Sequence, residues 1–184
     1  MRKTSDQLNM RNIWLISLVA ACGGLLFGYD WVVIGGAKPF YEAYFNITNA
    51  SLSGWAMSSA LIGCMVGAFI AGTVSDKYGR KRPLILAALL FVISAWGTAA
   101  ADSFNAFVVF RIIGGVGIGL ASALSPMYIA EIAPADKRGK FVAINQLTIV
   151  IGVLAAQIIN LLIAEPVASN AAQADILQSW NGQM

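Results

Sequence analysis

Gly72-Thr73-Val74-Ser75-Asp76-Lys77-Tyr78-Gly79-Arg80-Lys81-Arg82 is a short polar string set between two apolar runs, residues 54–75 and 83–101. Each run approaches or exceeds the roughly 20 helical residues that a bilayer crossing needs. Gly79 suits a sharp turn with positive φ. Pro83 stands at the start of the next helix, where proline is favoured. Asp76 is placed to accept hydrogen bonds from basic groups or from a helix N-terminus, whose dipole favours an anion. A basic loop that merely sets orientation accounts for the four cations, but not for the ordered Gly–Asp–Gly–Arg spacing.

Outward from this turn the same pattern repeats. Further apolar runs lie near 13–37, 104–129 and 140–164, which makes five predicted spans. The predicted fold is all-α, a multi-pass integral membrane protein. The first run is interrupted at its far end by Gly35, Gly36 and Pro39, where it is expected to unwind or tilt, and residues 38–53 are expected to be the longest internal connection. Short turns follow at Asp102 and at 133–140, where Pro134 stops the fourth span, and 165–184 form a tail.

Composition agrees. Of 184 residues, 58% are hydrophobic and 11% charged, whereas a soluble domain carries about 25% charged residues. The net charge of +3 does not point to nucleic acid, because ten of the twelve Lys and Arg residues fall in three clusters. These are Arg2, Lys3 and Arg11; Lys77, Arg80, Lys81 and Arg82; and Lys137, Arg138 and Lys140. All three precede odd-numbered spans and so share one side, which the positive-inside rule makes cytoplasmic together with the N-terminus. The tail then lies outside.

Val19-Ala20-Ala21-Cys22 after a basic start resembles a lipoprotein signal, but apolar sequence continues to Val33 and four spans follow, against the length and flank criteria for such peptides. Cys22 and Cys64 sit within spans and read as small packing residues. With no histidine in the chain, a zinc site or an enzyme's nucleophile–base set has no support, and no cofactor is expected. Gly63, Gly67 and Ala71, and Gly115 with Gly119, recur every four positions and read as helix-packing seams. No Lys-Ser/Thr follows the Gly114–Gly119 run, so it is not a phosphate loop.

Two residues break the apolar pattern. Asp30 is the only acid inside the first run and Arg111 the only cation inside the fourth. A lone charge at membrane depth costs about 2.5–3.5 kcal/mol on the lenient insertion scales, so the two are best placed as partners facing a bundle interior or wet cavity. Burial raises a carboxylate's pKa and a guanidinium lowers it, so an arginine that moves away lets Asp30 take a proton. A static pair that fixes helices one and four is the competing reading.

The Gly72–Arg82 string resembles the cytoplasmic loop motif of the major facilitator superfamily. Arg111-Ile112-Ile113-Gly114-Gly115-Val116-Gly117-Ile118-Gly119, then Pro126-Met127-Tyr128-Ile129-Ala130-Glu131 and Arg138-Gly139, resemble the second diagnostic pattern of its sugar porter family. Gly24-Leu25-Leu26-Phe27-Gly28-Tyr29-Asp30 is similar to that family's first helix. Bacterial proton-coupled xylose and related monosaccharide symporters show the nearest likeness.

The resemblance implies sugar:proton symport by alternating access, with a proton as coupling ion, and a monosaccharide and the lipid bilayer of the cell membrane as partners. It makes Asp30 the proton carrier and Arg111 its partner. Facilitative relatives tend to carry Asn at the first-helix position. Gln146 matches a sugar-contacting glutamine, and an amide offers a donor and an acceptor to hydroxyls; gluing helices is the alternative, and the role left to Gln157 and Asn160. Phe27 matches a position near the sugar, with core packing as its alternative. Xylose-type members carry a second amide one or two turns beyond Gln146, where this chain has Val153. Asp76, Arg80, Glu131 and Arg138 match a charge network that latches the two halves of relatives, although alone such a set is an exposed salt bridge worth about 0–1 kcal/mol.

These porters have two six-helix halves. Five spans, ending in Ser179-Trp180-Asn181-Gly182-Gln183-Met184, correspond to part of the N-terminal half. The expectation is a fragment, inactive alone, whose missing partner is the C-terminal half. A facilitative uniporter and a non-transporting sugar sensor are the rival readings.

Overall fold

The computed structural model describes residues 10–163. Five helices follow one another: α1 (Met10–Tyr44), α2 (Ala50–Tyr78), α3 (Lys81–Ala99), α4 (Phe104–Ile132) and α5 (Arg138–Ile163). All five are long and apolar enough to cross a membrane. The tail from residue 165 lies outside the described residues.

Local chemistry sets the helix ends. Asn49 caps α2, its side-chain oxygen accepting from the Ser51 amide at 2.9 Å, and Ser103 caps α4 through the Ala106 amide at 3.3 Å. Such caps satisfy amides that a helix start leaves without partners. Gly79 ends α2 at φ 77°, and its amide bonds the Ser75 carbonyl at 2.9 Å. Nothing would obstruct a Cβ there, so the backbone conformation alone requires glycine.

α1 corrects the expected interruption. It runs unbroken through Gly35, Gly36 and Pro39 to Tyr44, leaving only a short turn before α2. Unwinding at membrane depth would expose unpaired backbone groups, each costing several kcal/mol, which exceeds the penalty of one proline. Packing also holds the added turns. Tyr41 stacks on Phe107 with ring centroids 5.4 Å apart, and Phe45 meets Phe104 and Phe107 at 6.0 and 5.6 Å. Lys38 pairs with Glu42 at 3.7 Å one turn along.

α4 is the most buried span and touches all four others. Its closest partner is α2, and that of α1 is α5. Both pairs cross on glycine. A Cβ on Gly63 or Gly67 would strike the carbonyls of Ile112 or Val116, and one on Gly115 or Gly119 would strike those of Ala60 or Cys64. The α1–α5 pair repeats the device, Gly28 against the Ile149 carbonyl and Gly152 against that of Leu25. Hydrophobic drive is weak between helices in lipid, so such backbone contact carries the association. The outward faces carry exposed Val19, Phe69, Trp96 and Leu162, as a lipid-facing surface should.

Candidate functional site

Asp30 projects from α1 and Arg111 from α4, and the two meet. One guanidinium nitrogen, Nη1, donates to both carboxylate oxygens at 2.9 and 3.1 Å. The arginine side chain is 8% exposed and the aspartate 24%, so the acid keeps access that the base lacks. The pair lies in the contact between α1 and α4. Arg111 Nε, also buried, has no hydrogen-bond partner among the described residues.

That access opens into a cavity of about 300 Å³. α1 lines it with Phe27, Asp30 and Trp31, α2 with Cys64, and α5 with Ile149 and Val153. Phe27 and the acid therefore share one chamber, to which Val153 also contributes. Gln146 does not line it. It is exposed on α5, two turns before Val153 along nearly the same face. Its neighbour Asn145 is buried, and the phase between them is set by α1, since the Asn145 backbone and side chain press against Gly24. A larger groove of about 620 Å³ between α1, α3 and α4 is almost wholly apolar and holds none of these groups.

At the opposite end of the pair's helices from Tyr41, the basic turns form a second cluster. Arg80 donates from Nε to both Glu131 oxygens at 2.9 and 3.2 Å, and from Nη1 to Asp76 at 2.9 Å and to the Ser75 hydroxyl at 3.2 Å. Hydrogen bonding to Glu131, and then to Asp76, raises the Arg80 pKa above the ordinary arginine value. Three of the four expected network members are thus joined. Arg138 stands apart, exposed at the first position of α5, with no ion pair among the described residues.

Several polar contacts were not anticipated from the sequence. Ser125 on α4 donates to the Ala20 carbonyl at 2.6 Å, and Thr148 on α5 to that of Ala21 at 2.8 Å. Two helices therefore clasp α1 at consecutive residues, ten positions before the acid. Hydroxyl residues inside apolar runs were the available signal. Asn160, expected to join helices, donates to the Val32 carbonyl at 3.4 Å and lies over Gly36, while Gln157 is exposed.

The family described as "Sugar (and other) transporter" matches residues 16–178. The chain belongs to this family, the sugar porters of the major facilitator superfamily. Among curated sugar porters, the D-xylose-proton symporter of Escherichia coli (strain K12) is 44% identical over 185 residues, 87% of this chain and 38% of that protein. The glucose transport protein of Synechocystis sp. is 43% identical over 156 residues, covering 85% and 33%. The chain therefore spans little more than a third of these relatives' length. Among solved structures, the inward open xylose transporter XylE from E. coli superposes with a TM-score of 0.78 at 40% identity, covering 93% of this chain and 44% of that one. XylE bound to 6-bromo-6-deoxy-D-glucose gives 0.81 at 40% identity, covering 95% and 42%. The porter fold and its multi-pass, all-helical character follow.

Proposed function

We propose that this chain is part of a transporter that carries a neutral monosaccharide together with a proton across the cell membrane by alternating access. The observation that carries this reading is the Asp30–Arg111 pair, buried at membrane depth yet open on the acid's side to a cavity. When a rearrangement draws the guanidinium away, desolvation favours the neutral acid and a proton is taken up. Returning the arginine expels it. Phe27 supplies a flat apolar face in the same chamber, and the exposed Gln146 supplies an amide on α5 two turns before Val153, which suits the two sides of a sugar ring.

The curated relatives named as a xylose-proton symporter and a glucose transport protein support a sugar cargo. In such porters the substrate lies between two repeats, so the second half of the protein is the proposed partner, and the exposed Gln146 would face it. The basic clusters of the sequence support a cytoplasmic N-terminus. Arg80, Asp76 and Glu131 would then form a cytoplasmic latch, which the exposed Arg138 at the start of α5 would join in the full-length protein.

The test uses the full-length protein that carries this chain, reconstituted in vesicles. Asp30→Asn should abolish proton-driven sugar accumulation while sugar exchange continues. Uphill accumulation at the parent level would overturn the coupling assignment.

A further inference from the structure

Tyr41 is buried, 6% exposed, and among the described residues its phenolic oxygen makes no close hydrogen bond, the Ser53 hydroxyl of α2 being near enough only for a weak one. Arg111 is buried at 7%, and its Nε has no hydrogen-bond partner among the described residues. A buried polar group without a partner costs about 1–3 kcal/mol, and more when charged. Both groups sit in the α1–α4 interface. Tyr41 lies eleven residues beyond Asp30, three turns along the same face of α1. Its ring stacks on Phe107, which precedes Arg111 by one turn of α4.

The helix directions bring the Tyr41 hydroxyl and the Arg111 guanidinium toward each other. α1 and α4 run antiparallel, as Ala20 meets Ser125, Asp30 meets Arg111 and Tyr41 meets Phe107. Side chains lean toward their own helix N-terminus. Tyr41 therefore leans back along α1 toward Asp30, and Arg111 leans along α4 toward Tyr41. The Tyr41 hydroxyl lies within electrostatic range of the arginine charge.

We propose that Tyr41 is the second seat of Arg111: when Asp30 is protonated, the guanidinium swings along the interface and donates to the phenolic oxygen. Tyr41 is then a positioning residue for proton coupling, and this rests on the role of Asp30 proposed above. Protonating Asp30 frees a cation in an apolar surround. An acceptor already in place lowers the cost of that release and so favours proton uptake. Other charged or titratable groups near this face are Lys38 and Glu42 on α1, paired with each other, Cys64 from α2, and Asp102 before α4. α3 and α5 carry their charges only at the basic end.

The test is the pH dependence of sugar uptake by the full-length protein with Tyr41→Phe, which keeps the ring and removes the acceptor. The protonated state loses its support, so half-maximal uptake should move to lower pH. A shift of about one unit is expected, tenfold in proton affinity, with the exchange rate unchanged. Phe107→Leu loosens the aromatic packing but leaves the hydroxyl, and should keep the parent midpoint. An unchanged midpoint in Tyr41→Phe, or an equal shift in Phe107→Leu, overturns the proposal. Because Asp30→Asn is read separately by loss of accumulation, failure here leaves the coupling role of Asp30 standing.

Discussion

Arg80 grips Glu131 across 51 residues of sequence, its Nε and Nη2 both 2.9 Å from the same carboxylate oxygen. The contact ties the start of α3 to the end of α4, and Asp76 at the end of α2 shares the same guanidinium. Three helix ends therefore meet at one cation.

The cluster lies at the surface, where an ion pair adds little to stability. Glu131→Gln should leave the melting temperature of the purified full-length protein within about 2 °C of the parent, since 1 kcal/mol corresponds to roughly 2–4 °C in a chain of this size. It should nevertheless increase the inward-open fraction, read by distances between spin labels on the two halves. An unchanged distance distribution would leave the cluster a plain surface contact.

Alkali should not loosen this cluster. Glu131 foremost, with Asp76, raises the Arg80 pKa. A raised basic pKa contributes in full below the unfolded value and is lost only as pH passes the folded one. The spin-label distances should therefore be the same at pH 7 and pH 9.5, and a shift over that range would show that some other group controls the latch.

Glycine crossings predict a graded stability series. Gly63→Leu places a side chain against the Ile112 carbonyl, and overpacking against backbone should cost at least about 1–3 kcal/mol. Gly54→Ala, with open space around it, should stabilise α2 by about 0.5–1 kcal/mol. Gly79→Ala also has space but keeps φ at 77° with an extended ψ of 167°, so it should lose about 1–3 kcal/mol through backbone strain alone. Melting curves of the three proteins check the order.

Within the charge pair, the two single changes should differ. Arg111→Ala leaves a carboxylate facing an apolar chamber without its cation, whereas Asp30→Asn keeps an acceptor for the guanidinium. Breaking a buried pair costs about 3–5 kcal/mol, so Arg111→Ala should melt lower than Asp30→Asn. Equal melting temperatures would mean that the pair adds nothing to the bundle.

Gln146 is exposed on α5 and contributes no packing that a truncation would remove. Gln146→Ala should keep the parent melting temperature and weaken sugar affinity about tenfold, as for one lost hydrogen bond near 1.4 kcal/mol. Parent affinity in a titration would make this amide a bystander.

The spans were legible because apolar length is a strong signal and every charged cluster fell at or beyond their ends. The charge pair was legible for the same reason, as two isolated exceptions in apolar runs. The outer part of α1 was not. Gly35, Gly36 and Pro39 are local helix breakers, and the stacking of Tyr41 and Phe45 on α4, which helps to override them, is not visible in the sequence. Nor does sequence tell Asn145 from Gln146. The two amides are adjacent, and which one turns inward depends on where Gly24 and Gly28 let α5 approach. The isolation of Arg138 from Arg80 and its carboxylates belongs to the same class, because a shared loop signature does not specify which side chains touch.

The reciprocal seating of Gly63, Gly67, Gly115 and Gly119, and of Gly28 with Gly152, presses main chain on main chain. Helices joined that way have no cushion of side chains to absorb sliding. Each couple behaves as a stiff plank, and a swing large enough to open a passage must tilt planks whole instead of flexing them. Freedom at the acid's chamber is thereby confined to what its own side chains can do, chief among them the long reach of one arginine.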